Sequence, residues 1–225
     1  MLNLKRYAFT LAEILLALTI VGIIASLVMP SLLKDMQAKA RMSLLKSTLI
    51  GLDDTIHREI AQKRSEDIEN LDIYRNPQDF LDKLSDAVEG NAFAASYKNY
   101  NGGNAAVVIP NANILLKNGV GIGISNDEEH RISKIVVDLT ASEPPNTVGI
   151  DYFIAGMAWD EDLERGVHVG DVHGYIDGVL HVVTEEGQQE ETENGLRAAC
   201  LGGDAESCFR LVEIVGYDHN YLNNL

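Results

Sequence analysis

KRYAFTLAEILLALTIVGIIASLVMP, Lys5–Pro30, decides how this chain is built. From Tyr7 to Leu33 its single charged residue is Glu13. A helix over such a run is long enough to cross the roughly 30 Å hydrocarbon layer of a bilayer. A carboxylate at the centre of a membrane helix costs about 2.5–3.5 kcal/mol, less near the headgroups, and less again when paired with a cation. Glu13 is therefore read as a functional residue, against the plainer reading of an acid tolerated at the interface.

Lys5 and Arg6 precede the run, which favours a cytoplasmic N-terminus. An ordinary secretory signal is cut after its apolar core, at a small-x-small site. Here the only small residue at the basic boundary is Ala8, ahead of the core. A cut between Ala8 and Phe9 leaves the whole apolar helix on the mature chain. It also creates a new α-amine on Phe9, about one helical turn from Glu13.

AFTLAEILLALTIVGIIASLVMPSLL, Ala8–Leu33, resembles the N-terminus of type IV pilins and type II secretion pseudopilins. The resemblance rests on Ala8, Phe9, Thr10, Leu11, Glu13, the apolar helix and Pro30. It implies that a prepilin peptidase cuts between Ala8 and Phe9 and methylates the Phe9 amine. It also implies that Glu13 of one subunit pairs with the Phe9 amine of a neighbour during filament assembly. Two positions depart from the family pattern: Ala8 stands where glycine is usual, and Ala12 where a larger apolar residue is. The implied partners are the peptidase, other pilin or pseudopilin subunits in a homo- or hetero-polymeric filament, an inner-membrane assembly platform and the lipid bilayer. The implied place is the inner membrane, spanned once with the head in the periplasm, and then a filament or the cell surface.

The remaining composition fits an anchored chain with one head. The chain has 225 residues and a formal net charge of −16. Removing residues 1–8 takes away Lys5 and Arg6 and makes the charge more negative. So acidic a head is not expected to bind nucleic acid through its phosphates; a solvated outward surface is the plain use of the charge.

Past the membrane run, apolar residues recur at Leu32, Leu33, Met36, Ala40, Leu44, Leu45, Leu49, Leu52 and Ile56. Spacings of mostly three and four mark an amphipathic helix. One long helix over 9–63 is expected, roughly 80 Å long, with about 9–33 in the membrane and the second half against the head. Pro30 bends it, because its ring removes the bond to the Ser26 carbonyl. Gly22 is a second weak point, and both are candidate assembly positions.

The head is read as residues 64–225. Asn76 as N-cap, Pro77 at the first helical position and Gly90 as a stop predict a short helix over 77–88. Strands are predicted near 105–109, 113–116, 120–125 and 132–139, with Asn118-Gly119 as a hairpin turn. The expected fold class is α+β and pilin-like: a long N-terminal transmembrane and amphipathic helix packed on a small antiparallel sheet. GVGIG, Gly119–Gly123, sits in a hairpin rather than between a strand and a helix, so it is not read as a dinucleotide loop.

VVDLTASEPPNTVGIDYFIAG, Val136–Gly156, reads as a strand, a proline-stiffened loop and a return strand. Asp138, Pro145, Asn146, Gly149, Asp151 and Phe153 resemble a segment of many bacterial prepilin-like proteins. Asp138 and Asp151 are candidate calcium ligands, as in some pseudopilins; the bland alternative is that they cap the loop through backbone amides.

Residues 158–195 read as an acidic insertion, with Arg165 as the single opposing cation. His168, Asp171, His173 and His181 are of zinc-ligand type. An Asp177-Gly178 turn, however, pairs Ile176 with Val179 and Tyr175 with Leu180, and so puts His173 and His181 on opposite faces. No metal is assigned there. Cys200 and Cys208 are the only cysteines, both on the non-cytoplasmic side, where thiols oxidise. A disulfide between them closes a short loop, worth roughly 2.5 kcal/mol by chain entropy.

No Ser/His/Asp or Cys/His arrangement has a supporting context, and the chain is not expected to be an enzyme. The expected function is a structural subunit of a type IV pilus or type II secretion pseudopilus. The alternative is a binding or enzymatic head tethered by a pilin-like anchor. The Phe9–Glu13 pair favours the first, because a plain anchor needs neither residue.

Overall fold

The computed structural model describes residues 10–65, 68–84, 87–127, 132–159, 167–169, 175–176, 179–180 and 193–222. The fold is α+β, with a long apolar N-terminal helix and an antiparallel sheet. In chain order the elements are α1 (Leu11–Lys63), a 3₁₀ turn (Ile68–Asn70), α2 (Asp72–Arg75), α3 (Pro77–Asp82), β1 (Ala87–Val88), β2 (Tyr97–Lys98), β3 (Asn104–Ala105), β4 (Ala112–Leu116), β5 (Gly121–Asp127), β6 (Ile132–Asp138), β7 (Tyr152–Trp159), β8 (Val167–Val169), β9 (Tyr175–Ile176), β10 (Val179–Leu180), α4 (Glu193–Gly202) and α5 (Ala205–Ile214). The chain divides into two compact units, Met1–Ala40 and Arg41–Leu225.

In the second unit α1 buries Leu45, Leu49, Leu52 and Ile56 of the stripe read from the sequence in the head core, together with Met42, which that stripe did not include. Glu59 and Lys63 extend this face by polar contacts. Glu59 Oε1 accepts the Asp72 amide at 2.5 Å and lies 2.9 Å from Lys63 Nζ. The Asp72 carboxylate in turn pairs with Lys63 and Lys83. The hydrogen bond from Lys63, then that from Lys83, hold the Asp72 carboxyl below its ordinary range. This pins α2 to the end of α1.

The main sheet runs β1-β4-β5-β6-β7-β8, with every pairing antiparallel. Opposed residues share a face. Ile122, Val137 and Phe153 align on one face, and Gly121, Asp138 and Tyr152 on the other. The strand predicted over 132–139 forms as β6, but it does not alternate between a buried and an exposed face: Ile135, Val136 and Val137 are all fully buried. The reason is that both faces are covered, which turns an alternating strand into a continuous apolar run. Phe93 and Tyr97 cover the second face, with ring centroids 6.4 and 4.5 Å from that of Tyr152.

Two further expectations are corrected. The helix predicted over 77–88 stops at Asp82, and Ala87–Val88 is instead an edge strand paired with Leu115 and Leu116. The outer edge of β4 has backbone groups to satisfy, and the ladder outweighs local helix propensity. Further along that edge the Gln78 amide takes the place of a strand, its Oε1 accepting the Asn113 N–H at 3.1 Å. Asn76 does stand before α3 with Pro77 first, but its side chain makes no capping bond. The strand predicted over 105–109 is reduced to β3, because the turn from Asn99 to Gly103 closes a two-residue ladder with β2, and Pro110 has no N–H to continue one.

GVGIG proves to be a packing device. A Cβ on Gly121 would lie 1.8 Å from the Ala92 carbonyl oxygen, and one on Gly123 would lie 2.8 Å from Pro110 Cγ. These glycines let the 92–94 segment cross directly over β5. The insertion expected at 158–195 overlaps regular structure at both ends: β7 runs to Trp159, β8 pairs with it, and α4 begins at Glu193. Within it, β9 and β10 pair Ile176 with Val179 and Tyr175 with Leu180, the expected register.

Gly121→Ala is expected to lower head stability by at least roughly 3 kcal/mol, since the obstructing atom is backbone and cannot rotate away. Thermal or urea unfolding of purified protein checks this; a loss below 1 kcal/mol would show that the crossing yields easily.

Candidate functional site

Two features stand out: the helix surface of the first unit, and a buried polar hub in the head. Along α1 from Leu11 to Met36 nearly every residue is exposed in the isolated chain, with Leu11, Leu18, Leu27 and Met36 all above 60%. This helix is long and apolar enough to cross a membrane. So large an apolar surface calls for lipid or another protein surface. The hydroxyls on it are internally satisfied. Thr19 donates to the Leu15 carbonyl at 2.8 Å, Ser26 to Ile23 at 2.8 Å and Ser31 to Val28 at 2.9 Å. In hydrocarbon no water would meet those groups. The helix is continuous through both Gly22 and Pro30.

Glu13 lies in the first turn of α1 and makes a reciprocal capping box with Thr10. Glu13 Oε2 accepts the Thr10 N–H at 2.8 Å and lies 2.9 Å from the Thr10 hydroxyl, whose oxygen accepts the Glu13 N–H at 3.2 Å. Thr10 is thus the N-cap and Glu13 the third helical residue. The signal was present as Thr-Leu-Ala-Glu before an apolar run, and the sequence reading passed over it. Only one carboxylate oxygen is used: Oε1 has no hydrogen bond among the described residues. Ala8 and Phe9 lie outside the described residues, as do the side chains of His168, Asp171, His173 and His181.

The head hub is built on Asp138 at the end of β6 and Asp151 at the start of β7, both fully buried. Asp138 Oδ2 accepts the Tyr97 hydroxyl, and Oδ1 accepts the Thr140 N–H at 3.0 Å. Asp151 Oδ1 accepts the Thr147 N–H at 2.7 Å, and Oδ2 accepts the Asn146 N–H at 2.7 Å with the Thr140 hydroxyl 3.0 Å away. The two carboxylates therefore tie down both ends of the 139–151 loop: loop amides account for three of their four oxygens, and the Tyr97 hydroxyl for the fourth. Among the described residues no group of three or more His, Cys, Asp or Glu side chains converges as a metal site. The loop also carries β2, through Lys98 N–H to Asn146 O and Val148 N–H to Lys98 O, both 2.9 Å.

Gly149 joins the hub to the C-terminal helices. Its φ is +81°, and a Cβ there would lie 2.9 Å from Cys208 Sγ and 3.0 Å from the Tyr221 hydroxyl. The Tyr221 hydroxyl donates to the Gly149 carbonyl, and Arg197 Nη1 donates to the Tyr221 carbonyl at 2.5 Å. Cys200 of α4 and Cys208 of α5 are joined by a disulfide. The stretch after Cys208 continues α5 to Ile214.

Burial pushes the Asp138 carboxyl up to about 7, against the Tyr97 and Thr140 hydrogen bonds that favour its ionised form; nearby Asp151 adds to the rise. Burial likewise raises Asp151, against its bonds from Thr147, Thr140 and Asn146. Folded Asp138 keeps a proton that the unfolded chain gives up near its ordinary 3.8. Its contribution to stability is therefore full below about pH 4 and is lost as pH rises to about 7. Asp138→Asn is expected to flatten the fall in melting temperature between pH 4 and 7 relative to the parent, while shifting the whole curve down through the altered Tyr97 bond. Parallel curves for the two proteins would show that Asp138 does not titrate in that window.

Compared with models of known protein families, with curated proteins and with solved structures, the chain matches none.

Proposed function

We propose that this chain is a structural subunit of a type IV pilus or type II secretion pseudopilus. In this reading a prepilin peptidase cuts between Ala8 and Phe9 and methylates Phe9. The subunit then waits in the inner membrane with its head in the periplasm, and an assembly platform adds it to a filament through α1. The observation that carries the reading is the pairing of an uncovered apolar helix with a lone carboxylate in its first turn, one oxygen of which has no hydrogen bond among the described residues. A tether needs the apolar surface but has no use for the free oxygen.

Joining that oxygen to the α-amine of a neighbouring subunit would remove the desolvation penalties of two unpaired charges together. It would also fix the axial stagger of the helices, since one register brings the two groups into contact. An α+β chain with a long apolar N-terminal helix and an antiparallel sheet is compatible with a pilin-like shape and supports the same reading.

Intact-mass and N-terminal analysis of the native protein is expected to find a chain that begins at methylated Phe9. A native chain retaining Met1–Ala8 in cells that contain the peptidase would overturn the processing step.

Glu13 separates capping from assembly. Glu13→Gln keeps a residue that serves in the capping box while removing the charge. Glu13→Leu removes both and is favoured in lipid. Both variants are expected to insert and to be cleaved, and both are expected to lose most shear-released filament. Normal filament yield from Glu13→Gln, with loss only in Glu13→Leu, would show that the carboxylate serves the helix end alone.

A further inference from the structure

The Cys200–Cys208 disulfide ties α4 to α5, and both cysteines are fully buried. One residue of the 139–151 loop lies against both sulfurs. A Cβ on Gly149 would lie 2.9 Å from Cys208 Sγ and 3.1 Å from Cys200 Sγ, with the Tyr221 hydroxyl 3.0 Å away. The loop backbone therefore rests directly on the sulfur pair, with no side chain between them.

Two bonded sulfurs share space that two thiols cannot, because a covalent bond holds atoms inside their van der Waals contact distance. In a close-packed interior the reduced pair must take that room from a neighbour. The helices are poorly placed to give it by parting. Their connecting turn is fitted against the β2–β3 hairpin: a Cβ on Gly203 would lie 3.1 Å from Asn99 Cβ and 3.2 Å from Ala105 Cβ, and Asn101 Nδ2 donates to the Leu201 carbonyl at 3.3 Å. On the loop side the contact is a single glycine. It is held by the Tyr221 hydroxyl on its carbonyl and by its own N–H to the Tyr152 carbonyl at 3.1 Å.

We propose that the oxidation state of Cys200 and Cys208 decides whether the 139–151 loop closes: the disulfide lets Gly149 settle on the helices, and the two thiols hold it off. Holding it off releases what the loop carries. The Asn146 and Thr147 amides leave Asp151, and Lys98 loses its bonds to Asn146 and Val148, so β2 comes away with the loop. The β5–β6 ladder, which makes none of these bonds, stays formed. The inference concerns the head alone and holds whether or not the chain enters a filament.

Burial sets the order of events. A disulfide forms by exchange with a disulfide-bearing thiol oxidant: one cysteine thiolate attacks the oxidant's disulfide, and the second cysteine displaces the mixed disulfide that results. Two electrons and two protons pass to the oxidant, which leaves as a dithiol. Neither cysteine is exposed once Gly149 is in place. Oxidation therefore precedes closure, and closure then shields the bond from reductants.

The test is amide hydrogen exchange on the full chain in detergent micelles, oxidised, and again after reduction and refolding with a phosphine reductant. Relative to the β5–β6 ladder, the amides of Lys98, Asn146, Thr147 and Val148 are expected to exchange at least about tenfold faster in the reduced chain. Cys200→Ala combined with Cys208→Ala removes the bond and both sulfurs together. Its loop has room to close, so the same ratio is expected to stay near that of the oxidised parent. A reduced chain whose loop is as protected as the oxidised one would overturn the proposal. So would a double-alanine chain whose loop is as open as the reduced one, since the lost cross-link alone would then account for the opening. Loss of ladder protection along with the loop would overturn it too, because the effect would be global unfolding.

Discussion

The head depends on burying two carboxylates and satisfying both. Asp138 and Asp151 sit at opposite ends of the 139–151 loop and spend their oxygens on the Thr140, Asn146 and Thr147 amides and the Tyr97 hydroxyl. A buried carboxylate without partners would be among the most costly groups in a protein interior. Here the loop backbone has to close round them, because its own amides are the donors. Once closed, it offers Asn146 O and Val148 N to Lys98, and Gly149 to the disulfide and Tyr221. The β2 segment, α4, α5 and the C-terminal turn thus hang on the geometry that two acids impose.

Glu13 is the same chemical group under the opposite constraint. In the head, four carboxylate oxygens are consumed by donors from their own chain. At the start of α1 the capping box consumes one oxygen, and the other has no hydrogen bond among the described residues. The box does more than stabilise a helix end. It fixes the carboxylate's rotamer, so the unspent oxygen is held in one direction rather than swinging on a free side chain. A pre-oriented charge loses less entropy on meeting a partner than a mobile one.

What could be read from the sequence follows from how local each signal is. The apolar run, the lone acid and the 3–4 stripe from Leu45 to Ile56 are patterns within one helix, and α1 displays them directly. The hairpin at Asn118-Gly119 and the strand–loop–strand around Pro145 are also local, and the sheet contains both. The errors fall where distant segments decide. Ala87–Val88 leaves its helical pattern to pair with Leu115 and Leu116, and Ile135–Val137 abandons alternation because Phe93, Tyr97 and other distant residues cover the second face. The role of Gly121 depends on Ala92 crossing it, which no window around GVGIG reveals. The Thr10–Glu13 box is different: Thr-Leu-Ala-Glu ahead of an apolar run is a signal within one helical turn and is legible in the sequence.

The placement of charge in the chain then becomes intelligible. Acids tied to the fold are buried and hydrogen-bonded; the remainder make the exterior strongly negative. Copies of such a head repel one another at long range, which opposes aggregation before assembly. Ordered association must overcome that repulsion at short range, within a screening length of about 8–10 Å. Specific cations opposite specific acids would achieve this, whereas nonspecific apolar contact between heads would lose the selectivity. Apolar helices alone slide past one another with little preference for register. A charge held at one end of such a helix would select a stagger, which is why the proposed assembly role falls on Glu13 rather than on the apolar surface around it.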